Sequence, residues 1–357
     1  MMSVDNITNN NQTIAEDDFL EYALSHGFGD LHFKVDPETG MKAMIAIHNT
    51  KLGPALGGCR FIEYPNTAAA LKDAMRLARG MSFKAASVNL PLGGGKSVIM
   101  KPKGTFNRTA YMHQFGKFVN ELNGRYITAL DSGTVLNDMD IIAEHTDYVA
   151  SLSKHNGDPS PSTAKGVLRG IQAAVAFKLG KDSLKGLHVA IQGLGHVGYL
   201  LARHLHELGA TLTVADISPA AVEQAVNEFG AKPISTDVIH KVPCDVFAPC
   251  ALGAIINDIT IPQLQTTIIA GAANNQLAHT YHGKKLHEKG ILFAADYVIN
   301  AGGLIFAASK YLHTPEDKVN DQIDGIYTSL TEIFTRSAKD NLPASEIADT
   351  LAQEKLA

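Results

Sequence analysis

The chain has 357 residues, of which 45% are hydrophobic and 19% charged, and its formal net charge is −5. These are the values of a globular protein long enough for two domains of ordinary size. The acidic balance gives no electrostatic footing for nucleic acid or an anionic membrane surface, and the longest apolar runs, such as 173–177, fall far short of a membrane span.

Residues 1–12 are rich in Asn and lack the basic and apolar parts of a signal peptide, so they read as a loose tail. Cys59, Cys244 and Cys250 are too few and too scattered for a disulfide framework, which suggests reduced thiols and a cytoplasmic protein.

A helical pattern covers 17–26. Strand-like runs at 31–35 and 41–48 follow, joined by Asp36-Pro37-Glu38-Thr39-Gly40, which has the residues of a tight reversal. Asn66 can cap a helix running to about Gly80, and another helix is expected over 108–122, stopped near Asn123-Gly124. The Pro-, Gly- and Ser-rich stretch 156–162 marks a boundary, with Ser160 as cap and Pro161 in the first turn of a helix to about Leu179. Beyond it, short β-rich runs at 187–192, 211–215, 245–247, 267–270 and 291–294 alternate with helical runs at 197–208 and 219–229. That rhythm implies a parallel sheet wrapped by helices. The tail 318–356 reads as helical and is expected to fold back on the first domain.

Within the second half, Gly193-Leu194-Gly195-His196-Val197-Gly198 lies between an apolar strand and a helix. The next strand ends in Asp216, twenty-one residues after Gly195. This is the context of a dinucleotide turn: glycines allow close approach of a pyrophosphate to a helix N-terminus, and the acid binds ribose hydroxyls. A carboxylate there would repel a 2′-phosphate, which favours NAD over NADP.

In the first half, Gly93-Gly94-Gly95-Lys96-Ser97 fails the nucleoside-triphosphatase pattern, since position 90 is Leu90 where that motif needs glycine. The remaining readings are a lysine after a flexible structural loop, or a base at the end of a glycine-rich loop. In the second reading a nearby cation such as Lys84 would help the lysine lose its proton. Fifteen histidines include no H-E-x-x-H pattern, and His204 and His206 sit two apart on a helix, so no metal is expected. Met75 and Met81, at helical positions, read as core.

Taken together, Gly53-Pro54-Ala55-Leu56-Gly57-Gly58, Met81-Ser82-Phe83-Lys84, Gly93 to Lys96, Asp131-Ser132-Gly133-Thr134 and Asp138-Met139-Asp140 form one ordered series. It continues through Pro159 to Ala164, the Gly193 turn, Pro249 to Gly253, Ala270 to Gln276 and Asp296 to Gly303. The series resembles the glutamate/leucine/phenylalanine/valine family of amino-acid dehydrogenases, most of all its leucine-type members. The resemblance implies two α/β domains: a substrate and oligomerisation domain over 1–149, and a doubly wound Rossmann domain binding NAD over 150–339, with the last helix (340–357) returning to the first.

It also implies roles. Lys96 would be the catalytic base and Asp131 its partner in proton transfer. Lys84 would hold the substrate carboxylate with the backbone of Gly57 and Gly58. Leu56, Met81, Ala129, Asn300, Leu304 and Ala307 would complete the substrate site. Cys250, Ala251, Leu252 and Asn275 would follow the nicotinamide half of the cofactor, with Thr163 near its carboxamide. The side-chain pocket is apolar, so glutamate fits poorly. The implied reaction is reversible oxidative deamination of an apolar L-amino acid to its 2-oxo acid and ammonia, by a homo-oligomer such as a dimer or octamer. Phenylalanine-, valine- and tryptophan-type dehydrogenases, or a catalytically silent NAD-binding homologue, are the alternatives. Leu304 and Ala307 stand where the leucine-type pattern has valines, Leu130 replaces an acid before the aspartate, and Lys165 replaces a tyrosine.

Overall fold

The computed structural model describes residues 18–155 and 157–357. The Asn-rich tail, Asp17 and Asn156 lie outside them.

The chain enters through α1 (Phe19–Ser25), capped by the Asp18 carboxylate, which accepts the Glu21 N–H. β1 (Asp30–Asp36) and β2 (Met41–Asn49) pair antiparallel, and the Asp36 carboxylate pins the reversal by accepting from Thr39 N and Oγ1. β3 (Ala55–Ile62) leads through α2 (Thr67–Ser87) into β4 (Gly93–Met100), and α3 (Arg108–Glu121) leads into β5 (Tyr126–Leu130). The sheet order is β1-β2-β4-β3-β5, with β3 parallel to both β4 and β5. α4 (Leu136–Ala143) closes this domain.

α5 (Ser160–Leu179) opens the second. There β6 (His188–Gln192), α6 (His196–Glu207), β7 (Thr211–Ala215), α7 (Pro219–Phe229), β8 (Lys232–Pro233), β9 (Cys244–Pro249), β10 (Thr266–Ile269), α8 (Tyr281–Glu288) and β11 (Leu292–Phe293) follow in turn. All six strands are parallel, in the order β11-β10-β9-β6-β7-β8. The order reverses between β6 and β9, so a crevice opens at their carboxyl ends. This is the parallel sheet that the alternating pattern implied, doubly wound as the family resemblance implied.

α9 (Asp296–Ile299), α10 (Gly302–Leu312), α11 (Glu316–Asp340) and α12 (Ala344–Leu356) complete the chain. α12 lies against α2: Lys355 Nζ donates to Ala86 O at 3.2 Å and to Asn89 Oδ1 at 2.8 Å, and Ala352 packs on Phe83 and Ala86. Among the described residues no helix is long and apolar enough to cross a membrane.

Several local expectations change. The glycines 93–95 are not a loop but the first half of β4, buried in the sheet. Their glycine content reflects crowding: a Cβ on Gly94 would stand 2.0 Å from Ser82 N of α2. The helix capped by Asn66 runs past the exposed Gly80 to Ser87, because Phe83, Ala85 and Ala86 bury the turn beyond it and outweigh a glycine penalty of about 1 kcal/mol. At the domain boundary Ser160 is the first helical residue, and Asp158 accepts its N–H at 2.8 Å, so the cap moves off Ser160. The helical tail is two helices, broken where Asn341 takes φ 53° before Leu342-Pro343.

Candidate active site

Three elements of the first domain converge on one end of its sheet. β4 carries Lys96, the turn after β5 carries Asp131, and β3, which runs between them, presents Gly57 and Gly58. Lys96 is buried, and its ammonium is ion-paired to Asp131 Oδ2. Thr134 fixes the aspartate's backbone: its Oγ1 accepts the Asp131 N–H at 3.0 Å, and its single O–H is shared between Asp131 O at 2.8 Å and Cys59 O at 3.0 Å. Burial pushes the Asp131 carboxyl up, but the Lys96 ammonium, the Ser132 N–H and the Arg60 guanidinium outweigh it, so the group titrates below the usual carboxylate range.

The last turns of α2 bring Met81 and Lys84 to the same place. Burial depresses the Lys84 ammonium to about 8. Asp296 offsets part of that effect, and Lys96 adds to it. Asp296 is itself half-buried, and its carboxylate accepts the N–H groups of Gln276 (2.9 Å) and Tyr297 (2.7 Å).

The opposite wall comes from the second domain: Thr163 in the first turn of α5, Val197 in α6, Asn300, and Leu304 and Ala307 in α10. The cleft between the walls has a volume of about 470 Å³. It gathers Leu56, Gly57, Gly58, Met81, Lys84, Lys96, Ala129, Asp131, Thr163, Val197, Asn300, Leu304 and Ala307, all of them expected at the site. Met81, read from its spacing as core, lines the cleft, whereas Met75 is fully buried.

The other cofactor residues lie at the crevice of the parallel sheet. Gly193 and Leu194 follow β6, Gly195 caps α6, whose first turn holds His196 and Gly198, and Asp216 follows β7. Cys250, Ala251 and Leu252 follow β9, and Cys250 N donates to Gln192 O at 2.7 Å. The arrangement fits a dinucleotide. A Cβ built on Gly195 would meet nothing within 4 Å, so the helix start is open, and no side chain caps its N–H groups. Asp216 accepts Leu194 N at 2.6 Å and Ser218 N at 2.7 Å, which holds its carboxylate beside the turn.

One expected residue lies elsewhere. Asn275 takes φ 50° and lines a separate recess with Thr280, Tyr297 and Asp349, while its neighbour Asn274 lines the cleft. Asn300 Nδ2 donates to Asn274 Oδ1 at 2.7 Å and to Ala272 O at 3.0 Å. Sequence reasoning also missed Phe306 and Lys310 of α10, and Leu136 and Ser151, all in the cleft wall. The helical spacing of Leu304, Ala307 and Lys310 was the available signal for α10. Lys165 turns away from the cleft, towards Asn320 (3.0 Å) and Asp324 (3.4 Å) on α11.

The described residues contain one trio with metal-ligand chemistry, His113, Glu144 and His145. His113 Nδ1 and His145 Nε2 are 2.9 Å apart, a hydrogen bond that accounts for their contact without an ion. Their separation in sequence hid them from any spacing rule.

Residues 29–148 match the family model described as Glu/Leu/Phe/Val dehydrogenase, dimerisation domain, and residues 213–357 match that described as Glutamate/Leucine/Phenylalanine/Valine dehydrogenase. The leucine dehydrogenase of Bacillus subtilis (strain 168) is 48% identical over 342 residues, 95% of this chain and 94% of its own length. The chain belongs to this family and is an amino-acid dehydrogenase.

Other members act on different side chains. The phenylalanine dehydrogenase of Thermoactinomyces intermedius is 41% identical over 344 residues, 95% of this chain and 94% of its own. The crystal structure of L-tryptophan dehydrogenase from Nostoc punctiforme superposes with a TM-score of 0.88 at 42% identity, covering 94% of this chain and 98% of that one. A family dehydrogenase works with a nicotinamide cofactor, and the crevice between β6 and β9 is where the fold offers it a seat.

Proposed function

We propose that the protein catalyses NAD-dependent, reversible oxidative deamination of an apolar, branched-chain L-amino acid, giving the 2-oxo acid and ammonia. The observation that carries this reading is the ion pair of buried Lys96 with half-buried Asp131, in a cleft whose side-chain wall is apolar at Leu56, Ala129, Leu304 and Ala307, with Lys310 one helical turn beyond Ala307. Leu56, Ala129, Leu304 and Ala307 offer no partner to a second carboxylate, which argues against glutamate.

In this reading Lys84 and the backbone of Gly57 and Gly58 hold the substrate carboxylate, and the reacting carbon lies over Lys96. The nicotinamide, when bound, supplies the hydride acceptor. Hydride leaves the α-carbon only from the neutral amine, so Lys96 takes the ammonium proton first. Asp131 stabilises the cationic iminium that results. Lys96 releases that first proton to solvent, then takes one from water as the water adds to the iminium carbon and passes it to the nitrogen. As the C–N bond breaks and ammonia departs, Lys96 takes up the carbinol O–H proton, leaving the 2-oxo acid. The walls of the cleft keep bulk water from the carbon while hydride moves. Thr163 and Asn300, with Asn274, would orient the carboxamide side and the substrate. Asp216 supports NAD over NADP by repelling a 2′-phosphate. The match to a dimerisation domain supports a homo-oligomer built through the first domain.

An aromatic amino acid is the second reading. Ala129 and Ala307 are small, and a cleft of about 470 Å³ has room for a ring. The test is reduction of NAD and of NADP across a panel of L-amino acids at alkaline pH. Turnover led by leucine, isoleucine or valine with NAD is expected. Preference for phenylalanine or tryptophan would move the assignment to the second reading, and no turnover with any apolar amino acid would overturn both.

A further inference from the structure

The Lys96–Asp131 pair is not closed on itself. Arg60 of β3 brings Nε to 3.4 Å from Asp131 Oδ2, the oxygen that Lys96 also contacts. At that distance it is an ion contact rather than a well-formed hydrogen bond. The same guanidinium is anchored behind: Nη1 donates to Asp73 Oδ2 at 2.6 Å, Tyr64 OH donates to that oxygen at 2.7 Å, and Arg76 Nη2 donates to Asp73 Oδ1 at 3.3 Å. The Arg60 and Asp131 side chains are each only 20% exposed and Asp73 16%, so water screens the chain of charges weakly.

The chemistry sets a requirement that a two-membered pair does not meet. Lys96 must be neutral for part of the cycle. With Lys96 as its sole counter-ion, Asp131 would at that moment be a half-buried anion without a partner. The less costly outcome would be a proton on Asp131, and a protonated acid no longer stabilises an iminium. A guanidinium does not give up its proton, so its charge stays when that of Lys96 leaves.

We propose that Arg60 is a positioning residue for deamination, whose permanent charge keeps Asp131 ionised and in place while Lys96 is neutral. This rests on the lysine-base reading above. The geometry suits the role: Arg60 approaches Oδ2 alone, and Asp131 Oδ1 has Ser132 Oγ at 3.5 Å, so that oxygen remains for the substrate nitrogen.

The other charged and titratable groups around the pair are accounted for. Cys59 of β3 is buried, and its thiol is pushed up to about 12 by burial, so it stays neutral. Tyr126 of β5 is buried and likewise raised. From α4, Asp138 is neutralised by Arg108 at 2.6 Å. From α2, Asp73 and Arg76 sit behind Arg60, and Lys84 faces Lys96 and Asp296.

The test compares pH profiles of kcat/KM for deamination in Arg60→Gln, Arg60→Lys, Asp73→Asn and Lys96→Ala. Arg60→Gln should lose turnover about tenfold or more and shift the rising limb to higher pH, with KM for the amino acid nearly unchanged. Arg60→Lys restores the charge and should return the limb towards its original position. Asp73→Asn removes the carboxylate that competes for Arg60 and should move the limb to lower pH, a sign that holds even if Arg60→Gln fails to fold. An unshifted profile in Arg60→Gln, no rescue by lysine, or an unmoved or upward limb in Asp73→Asn would overturn the proposal while Lys96→Ala remains inactive. Turnover surviving in Lys96→Ala would instead remove the lysine-base reading on which it rests.

Discussion

Lys96 and Asp131 meet across a strand that separates them. They come from β4 and from the end of β5, which flank β3 and are therefore roughly 10 Å apart in the sheet. The long lysine side chain spans that gap because β3 offers Gly58 at the crossing. A Cβ there would stand 2.7 Å from Asp131 Cβ and 3.1 Å from its Cγ. The glycine is thus part of the charge geometry as well as of the substrate's backbone seat.

Gly58→Ala should therefore displace the Asp131 side chain and lower kcat on the order of a hundredfold, the cost of about 1 Å of misplacement. Because the tightest clash falls on the half-buried Asp131 side chain, at the cleft and not in the sheet's core, the thermal midpoint should change less than the rate. Steady-state kinetics beside a thermal melt checks this. Wild-type kcat in a folded variant would show that the pair can form without the gap.

Lys84 gives a pH dependence of opposite sign to that of the base. Burial depresses it to about 8, so the charged form that holds a carboxylate is lost as pH rises through that value. KM for the amino acid should then climb, by up to roughly tenfold per pH unit, over the same range in which kcat rises. Lys84→Arg keeps its charge and should flatten the KM profile even if it raises KM throughout. A flat wild-type KM from about pH 7.5 to about pH 10, roughly two units past the shifted value, would contradict the carboxylate role.

Asn274 and Asn275 make a matched pair for mutation. Asn274 Oδ1 accepts from Asn300 in the cleft, whereas Asn275 faces the recess beside Tyr297. Asn274→Ala leaves the Asn300 amide short of a buried acceptor and should reduce kcat/KM by roughly tenfold or more, about 1–3 kcal/mol. Asn275→Ala should do less. The reverse order in kinetics would return the nicotinamide side to Asn275.

Ala307 lies on the cleft wall one helical turn from Leu304. Ala307→Leu fills space that a large side chain would need, so activity on an aromatic amino acid should fall relative to that on valine. One or two methylenes change such ratios by roughly tenfold to a hundredfold. An unchanged ratio across the panel would exclude Ala307 from the side-chain pocket.

The parallel half of the fold was legible because each short strand and helix has its own period, and because Gly193 to Asp216 is a local device on one strand–turn–helix unit. The first half was less so. β3 and β5 are buried runs with no polar alternation to mark them, and the glycines of β4 look like a loop until α2 is seen pressing on them, as Ser82 does on Gly94. The cleft residues were legible from an ordered series of motifs. Arg60 was not, since its meaning depends on Asp73 and Asp131, partners 13 and 71 positions away that only the fold brings together. The placement of Asn275 in a separate recess, with Asn274 in the cleft, was not legible either, since it follows from the left-handed backbone at Asn275.

His48 carries a prediction for stability. It is 5% exposed on β2, and its Nε2 is 3.0 Å from His26 O, to which it donates, while its ring packs edge-on to Phe28 at 4.9 Å. Burial drives its imidazole down to about 4, with the His26 carbonyl offsetting part of the effect. The unfolded chain, with an ordinary imidazole near 6.5, therefore takes up a proton first as the pH falls. Stability is unaffected by this group above about pH 7. It is lost progressively between 6.5 and 4, by roughly 3 kcal/mol when complete. His48→Gln keeps a donor for the His26 carbonyl but cannot titrate, so its urea-unfolding free energy should fall less steeply with acidification than that of the wild type, with about 1–2 kcal/mol of the difference present at pH 5. Parallel slopes for the two proteins between pH 7 and pH 5, roughly the upper part of the window, would mean that the buried imidazole is protonated as readily as a free one.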